Sequence, residues 1–521
     1  MENVRKSMEV LADKVRQLPP WALAVGGTVV GYTLLRTFVL SRSSVRREAK
    51  GDWEVPIFGN LFNIGDIQKL FEYQLTLVKK YGGVAKFSLL GRKFVITSDP
   101  EMNKRIFQND MNDFGRGGNT MVVFGDIAGG LIIQDNGIEQ KEVRKYFDPS
   151  FSVGTIKSYA PIVTECTSKL LTWMDTQLKS PENHPKGAGI EMQPALHGLT
   201  FDIIVNILLG FDPNSVATGG QAVHIQAWEH ALSHLMDRFP FAESRYWEYS
   251  FLKTPAVRQY EKDIKVLRDL VMNRYDMYLK DGVPTEAVDM LAQYVRRLKA
   301  NPETVPDFLK NDRESFQRHF ITQVFAGHDT TASSIGWTLA FLSMSPEKLD
   351  RARKEVIQTV GKGSLTYENL LTMPYLEACV KETLRLRPSA PNTGRIAAKD
   401  LTYNWVDDQG VAREHFVEKG TELFTCFYAT HLDERNFEKA SQFWPERWLS
   451  DKVYSPWSYI PFGAGPRRCL GEKLALFETR LAVAEILRKY DFGLVEGHKM
   501  EAIQAPTFRM KHGLKMWLKA L

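Results

Sequence analysis

The sequence predicts a mainly α fold with a minor β portion, built as one large domain behind an N-terminal transmembrane helix. Three features carry that expectation. Between about residues 100 and 400, apolar residues recur at three- and four-residue spacing, the period of an amphipathic helix. Strand-like runs are short and few. No internal repeat interrupts the 521 residues, and no linker is long enough to separate two cores. Composition agrees: 44% hydrophobic and 25% charged residues are ordinary for a globular chain.

The N-terminus departs from that composition. After a segment of residues 1–20, residues 21–40 (WALAVGGTVVGYTLLRTFVL) are apolar apart from Arg36. Twenty helical residues reach about 30 Å, the thickness of a bilayer core. Arg36 lies near the far end, where a side chain can snorkel to the headgroups. Arg42, Arg46, Arg47 and Lys50 follow and favour a cytosolic side for the rest. A cleaved signal peptide is the competing reading, disfavoured by the long charged stretch before the apolar run and by the lack of a small-x-small cleavage site. Residues 41–54 read as a linker, and the folded domain as residues 55–521.

Within the domain, residues 55–60 (VPIFGN) read as a turn. Residues 84–90 and 93–98 read as a hairpin joined at Gly91-Arg92. Helices are expected over 156–178, 192–209, 256–279 and 313–343, with breaks at 211–220 and 281–284. Strands return at 401–406, at 422–428 and near the C-terminus. The aromatic-rich stretch 228–251 reads as core packing, or as a lid over an apolar pocket.

A formal charge of +5 is small for this length. It argues against a nucleic-acid binder and leaves room for a local basic patch facing an acidic partner. Cys166, Cys379, Cys426 and Cys469 form no C-x-x-C pair, so a disulfide scaffold or Cys-rich zinc site is not expected. Nor do the histidines show H-E-x-x-H spacing, or any G-x-G-x-x-G a nucleotide-binding turn.

The chemistry concentrates in residues 461–471, PFGAGPRRCLG. Gly463 and Gly465 let the chain turn where a side chain would obstruct it, and Phe462 can cover the sulfur of Cys469. Gly471 opens a helix of about residues 472–489 whose N-terminus faces that sulfur. Three further patterns precede it: Glu382 and Arg385 on one helical face in KETLR, Arg447 in FWPERW, and AGHDTT (326–331) inside the long helix. Gly, Asp and paired Thr are poor mid-helix residues; a Thr bonding back to the preceding turn would reconcile them with a helix.

In their order and spacing these four motifs resemble those of the cytochromes P450, Phe462, Gly465, Arg467, Cys469 and Gly471 meeting the family's haem-loop pattern. The resemblance implies a cytochrome P450-like domain that holds haem b, with Cys469 as the thiolate ligand of the iron and Phe462, Gly465 and Gly471 around it. Arg144, Arg395 and Arg467 then look like propionate partners, and Glu382, Arg385 and Arg447 like a structural network. Gly327 would leave room for O2, while Asp329 and Thr330 would relay protons as general acid–base groups. The family's usual Trp before that Arg is replaced here by Gln140.

The implied activity is a monooxygenase inserting one oxygen atom from O2 into an apolar lipid, sterol, terpenoid or aromatic metabolite. Electrons would come from an NADPH-dependent cytochrome P450 reductase, with cytochrome b5 as a second partner, at the cytosolic face of the endoplasmic reticulum. Arg468 and Lys473 are candidates for the docking face. The competing readings are a haem-thiolate isomerase or dehydratase acting on a peroxide, disfavoured by the intact Asp329-Thr330 pair, and a non-catalytic haem-binding membrane protein, which needs no relay.

Overall fold

The computed structural model describes residues 49–116, 123–125, 127, 129–130, 137–238, 253–361, 363–406, 411–505 and 507–521. The span expected over 21–40 and most of the aromatic stretch after Arg238 lie outside the described residues. No helix among the described residues is long and apolar enough to cross a membrane.

The turn at 55–60 forms as expected, Val55 and Gly59 exchanging backbone hydrogen bonds of 3.0 and 2.7 Å. Helix α1 (Leu70–Tyr81) then leads into the hairpin of β1 (Val84–Leu89) and β2 (Arg92–Thr97). Its loop is Leu90-Gly91, both at positive φ (48° and 79°), one residue earlier than the expected Gly91-Arg92. Two such residues match the twist of the flanking strands. Strand β3 (Phe114–Gly115) precedes α2 (Ile138–Phe147), α3 (Val153–Gln177), β4 (Ile190–Glu191) and α4 (Gln193–Leu209). Next come α5 (Val223–Arg238), α6 (Pro255–Lys280) and α7 (Arg313–Ser343), the last with the bounds its periodicity predicts.

Helix α7 is buried around most of its circumference, as is α4 beside it. A helix apolar on one face alone belongs at a surface; these two form the inner layer of the core. Asp312 caps α7 by accepting from the Glu314 and Ser315 amides at 2.9 and 3.1 Å. Its hydroxyls bond back one turn: Thr330 donates to the Ala326 carbonyl at 2.7 Å, Ser334 to Thr330 at 3.0 Å and Thr338 to Ser334 at 2.7 Å. This is how polar residues are satisfied in the middle of the core.

Beyond α7 lie α8 (Pro374–Leu386), β5 (Thr393–Ala397), β6 (Leu401–Val406), β7 (Ala412–Val417), β8 (Glu422–Thr425) and the short α9 (Phe427–His431). The strand expected to run to residue 428 therefore stops at Thr425. Its pairing with β5 is exhausted at Thr393, and the chain turns into α9, where Thr430 donates to the Cys426 carbonyl. One sheet has the order β1-β2-β8-β5-β3; within it β2 and β8 are parallel and the other neighbours antiparallel. The Arg92–Glu422 pair, at 2.7 and 2.9 Å, ties β2 to β8. After α10 (Glu472–Lys489), β9 (Tyr490–Leu494) and β12 (Lys515–Ala520) form a sheet with β4, enclosing the hairpin of β10 (Ala502–Gln504) and β11 (Phe508–Met510). That hairpin is riveted to α7: Ser333 donates to the Phe508 carbonyl at 2.6 Å.

Candidate active site

The loop before α10 is shaped by hydrogen bonds around one cysteine. The Cys469 amide donates to the Phe462 carbonyl at 2.9 Å, Gly463 to Ile460 at 3.0 Å and Arg468 to Gly465 at 3.0 Å. Gly465 has φ +63°, and a Cβ there would collide with the Phe107 carbonyl, so glycine is required. Gly471, the N-cap of α10, turns its amide to the Cys469 sulfur. Among the described residues, a Cβ on Gly471 would meet only the Phe151 ring, at 3.8 Å.

The thiol opens onto a cavity of ≈ 450 Å³ that also receives Phe462, Gly471 and the inner face of α7. Though exposed to this cavity, the sulfur is remote from bulk water. Burial pushes its pKa up to about 11, against the opposing pull of the Gly471 amide, Arg144 and Arg468. A cation held at the sulfur would favour its thiolate form. The other cysteines are buried among neighbours, with thiols pushed higher by burial.

Three guanidinium groups, those of Arg116, Arg395 and Arg467, converge on the same cavity. Burial and the charge of Arg467 bring the Arg395 pKa down to about 9, and burial with the charges of both neighbours holds that of Arg116 well below its ordinary value. Nη2 of Arg395 is buried without a hydrogen-bond partner. Such a cluster fits a ligand bearing carboxylates, to which planar guanidinium groups bond in pairs. Arg144 also lines the cavity, but its Nη1 donates to the Arg468 carbonyl at 2.7 Å, which places it on the sulfur side. Arg116 is the cation that the sequence reading missed. Its only signal was a lone charge in a glycine-rich stretch, FGRGGN.

A sulfur ligand on one wall and paired-carboxylate receptors at the edge are the fittings that an iron porphyrin with two propionates needs. No group of three or more His, Cys, Asp or Glu side chains suited to a metal ion occurs among the described residues.

The AGHDTT turn divides between two faces of α7. Ala326, Gly327, Thr330 and Thr331 line the cavity. His328 and Asp329 point the other way and are fully buried. His328 Nε2 lies 3.3 Å from His197 Nδ1, so this imidazole bonds a neighbour. Asp329 accepts from Arg509 at Oδ1 and from Thr507 at Oδ2. Burial raises its pKa, but Arg509 and the flanking imidazoles outweigh that and hold the carboxyl below its usual value. The structure therefore separates the expected pair: Thr330 faces the cavity and Asp329 is locked behind it. Gly327 lines the cavity beside Ile204. A Cβ there would meet Ile204 Cγ1 at 2.7 Å and Cδ1 at 2.8 Å, so its missing side chain accommodates the approach of α4.

Glu382, Arg385 and Arg447 come together away from the cavity, all fully buried. Arg385 grips both Glu382 oxygens at 2.8 and 3.0 Å, and Arg447 Nε reaches both at 3.1 Å. Trp448 Nε1 and the Trp444 amide donate to the same carboxylate. His431, another residue that the sequence reading missed, joins this knot to the cysteine loop. Its Nδ1–H donates to the Arg385 carbonyl at 3.1 Å, and its Nε2 accepts from the Ile460 amide at 3.0 Å.

The cytochrome P450 family model matches residues 50–516. Similar curated proteins include cytochrome P450 monooxygenase pvhE of Talaromyces variabilis, 26% identical over 450 residues, covering 83% of this chain and 80% of that one. Cytochrome P450 3A18 of Rattus norvegicus is 25% identical over 455 residues, covering 85% and 86%. Cytochrome P450 52-N1 of Starmerella bombicola is 27% identical over 432 residues, covering 77% and 78%.

Proposed function

The chain belongs to the cytochrome P450 family, and from that premise we propose that it oxygenates an apolar small molecule in the cavity between α7 and the Cys469 loop. It is a monooxygenase of the haem-thiolate kind, using haem b, O2 and electrons drawn from NADPH through a separate flavoprotein. The observation that carries the assignment of residues is the convergence of the Cys469 thiol and the buried arginines on one cavity.

Bound through the Cys469 sulfur, haem supplies the activation of O2 and the transfer of one oxygen atom to carbon. The chain's own residues do the rest. The Phe462 carbonyl and the Gly471 amide fix the sulfur, and Arg116, Arg395 and Arg467 hold the propionates. Ile204, Phe325 and Phe424 give the cavity apolar walls that exclude water and select a lipid, sterol, terpenoid or aromatic substrate. Thr330 and Thr331 bring the hydroxyls of the α7 motif to the cavity side.

Membrane-bound NADPH–cytochrome P450 reductase, with cytochrome b5 as a second donor, suits the surface behind Cys469. Arg468 is paired with Glu472 there. Beside it, Lys141, Arg144 and Lys145 line a second pocket of ≈ 310 Å³ against Pro466, a basic face for an acidic partner. The apolar run 21–40 and the arginines after it support an anchor in the endoplasmic reticulum with the domain on the cytosolic side.

Cys469→Ala tests the ligand assignment. The variant is expected to purify without haem and without the carbon monoxide difference spectrum of a thiolate-bound iron. Full haem content with normal turnover would overturn it. Titrating the intact protein with apolar metabolites, followed by product analysis, identifies the substrate.

A further inference from the structure

The cavity face of α7 carries a side chain whose bonding is incomplete. Gln323, Gly327 and Thr330 follow one another at helical spacing and form one stripe, and all three line the cavity. Hydroxyls of this stretch are satisfied within the helix. Thr322 donates to the Arg318 carbonyl at 2.8 Å, Thr330 to Ala326 at 2.7 Å and Ser334 to Thr330 at 3.0 Å. Gln323 differs. The residue is only 9% exposed, and its buried Oε1 accepts no hydrogen bond among the described residues.

A backbone neighbour fixes which end of the amide is left over. Gln323 Nε2 donates to the His319 carbonyl, one turn back, at 3.5 Å. Turning the amide over would set Oε1 against that carbonyl, two acceptors with no proton between them. The oxygen is therefore the atom that Gln323 leaves for an occupant of the cavity. Phe124, Ile204 and Phe325 are among the apolar walls, so a substrate that fills the space displaces the water that could otherwise bond the amide. An acceptor sealed in without a donor weakens binding by about ten- to hundredfold.

We propose that Gln323 is a specificity-determining residue of this enzyme, its Oε1 accepting a hydrogen bond from a neutral hydroxyl on an otherwise apolar substrate, an alcohol or a phenol. The inference rests on the monooxygenase reading and narrows its substrate class. A single amide oxygen matches one O–H donor. An ammonium group would bring a full charge into apolar surroundings with only a dipole to meet it. Of the carboxylates that line the cavity among the described residues, Glu422 on β8 is bound by Arg92, and Glu478 stands on α10; neither belongs to α7. Ethers, ketones and hydrocarbons offer no donor and leave Oε1 unpaired.

Three matched pairs serve as probes of the full chain with haem bound: dodecanol, cholesterol and para-phenylphenol, each beside its own methyl ether. Methylation removes the donor and keeps the oxygen and the apolar body. Dissociation constants are read from the shift of the haem absorption band and by equilibrium dialysis. In the wild type at least one hydroxyl compound should bind about tenfold more tightly than its ether. Gln323→Met keeps the length of the side chain without its amide, and Gln323→Leu makes the same comparison with a stiffer one. Both should bring the ratio close to one through weaker binding of the hydroxyl compound, with haem content and the carbon monoxide difference spectrum unchanged. A preference that survives both substitutions, equal binding within every pair, or failure of all three hydroxyl compounds to bind overturns the assignment of Gln323 and leaves the monooxygenase reading standing. A wild-type protein without the thiolate spectrum overturns both.

Discussion

Glu382 has both carboxylate oxygens filled by Arg385, Arg447, Trp448 and the Trp444 amide, with no exposure to water. A charge so placed is tolerable only while its partners stay. Replacing Arg447 with Leu should therefore lower stability by about 3–5 kcal/mol, the range for breaking one side of a buried pair, measured by urea unfolding. A loss under about 1 kcal/mol would mean a solvated surface pair. The spacing of Glu382 and Arg385 announces a shared helical face and nothing more; depth is the property that single residues do not advertise. The same limit explains Arg116 and His431. A guanidinium among glycines and a histidine after an apolar run look alike whether they face water or a cavity.

At the scale of the element, local pattern served well where one periodicity ruled. Helix α7 keeps its expected bounds, and α10 begins and ends where the glycine and the lysine suggest. Prediction failed in direction rather than position. The AGHDTT turn is on the helix as expected, yet adjacent side chains lie about 100° apart, and the sequence could not say which faced the cavity. Gly327 gives a direct check. Gly327→Ala should cost about 1–3 kcal/mol through overpacking against Ile204, and Ile204→Ala in the same chain should recover most of it. If the single change leaves unfolding untouched and alters only O2 use, the glycine makes space for the gas instead of for α4.

For the whole molecule, buried ionisable groups link global stability to pH. Glu478, on α10 and lining the cavity, is pushed well above its ordinary carboxyl pKa by burial, and its Oε2 has no hydrogen-bond partner. The folded chain thus keeps a proton that the unfolded chain gives up above about pH 4.3. The stability from this group is complete in acid and drains away as pH rises, by at most about 1.4 kcal/mol per unit. Glu478→Gln removes that dependence. Its melting temperature relative to wild type should climb steadily between pH 5 and 8; a constant difference would show that Glu478 is ionised in the fold. Buried imidazoles act in the opposite sense. His431, with its pKa brought down to about 3 by burial and Arg385, stabilises fully above about pH 6.5 and progressively less as acid approaches its folded value. The β10–β11 hairpin carries a last implication. Arg509 meets Asp329 across 180 residues of chain, so during synthesis the acid emerges from the ribosome long before its counter-ion. Until then an unmatched carboxylate would have to enter the nascent interior, which makes closure of the helical layer wait for translation to pass that hairpin.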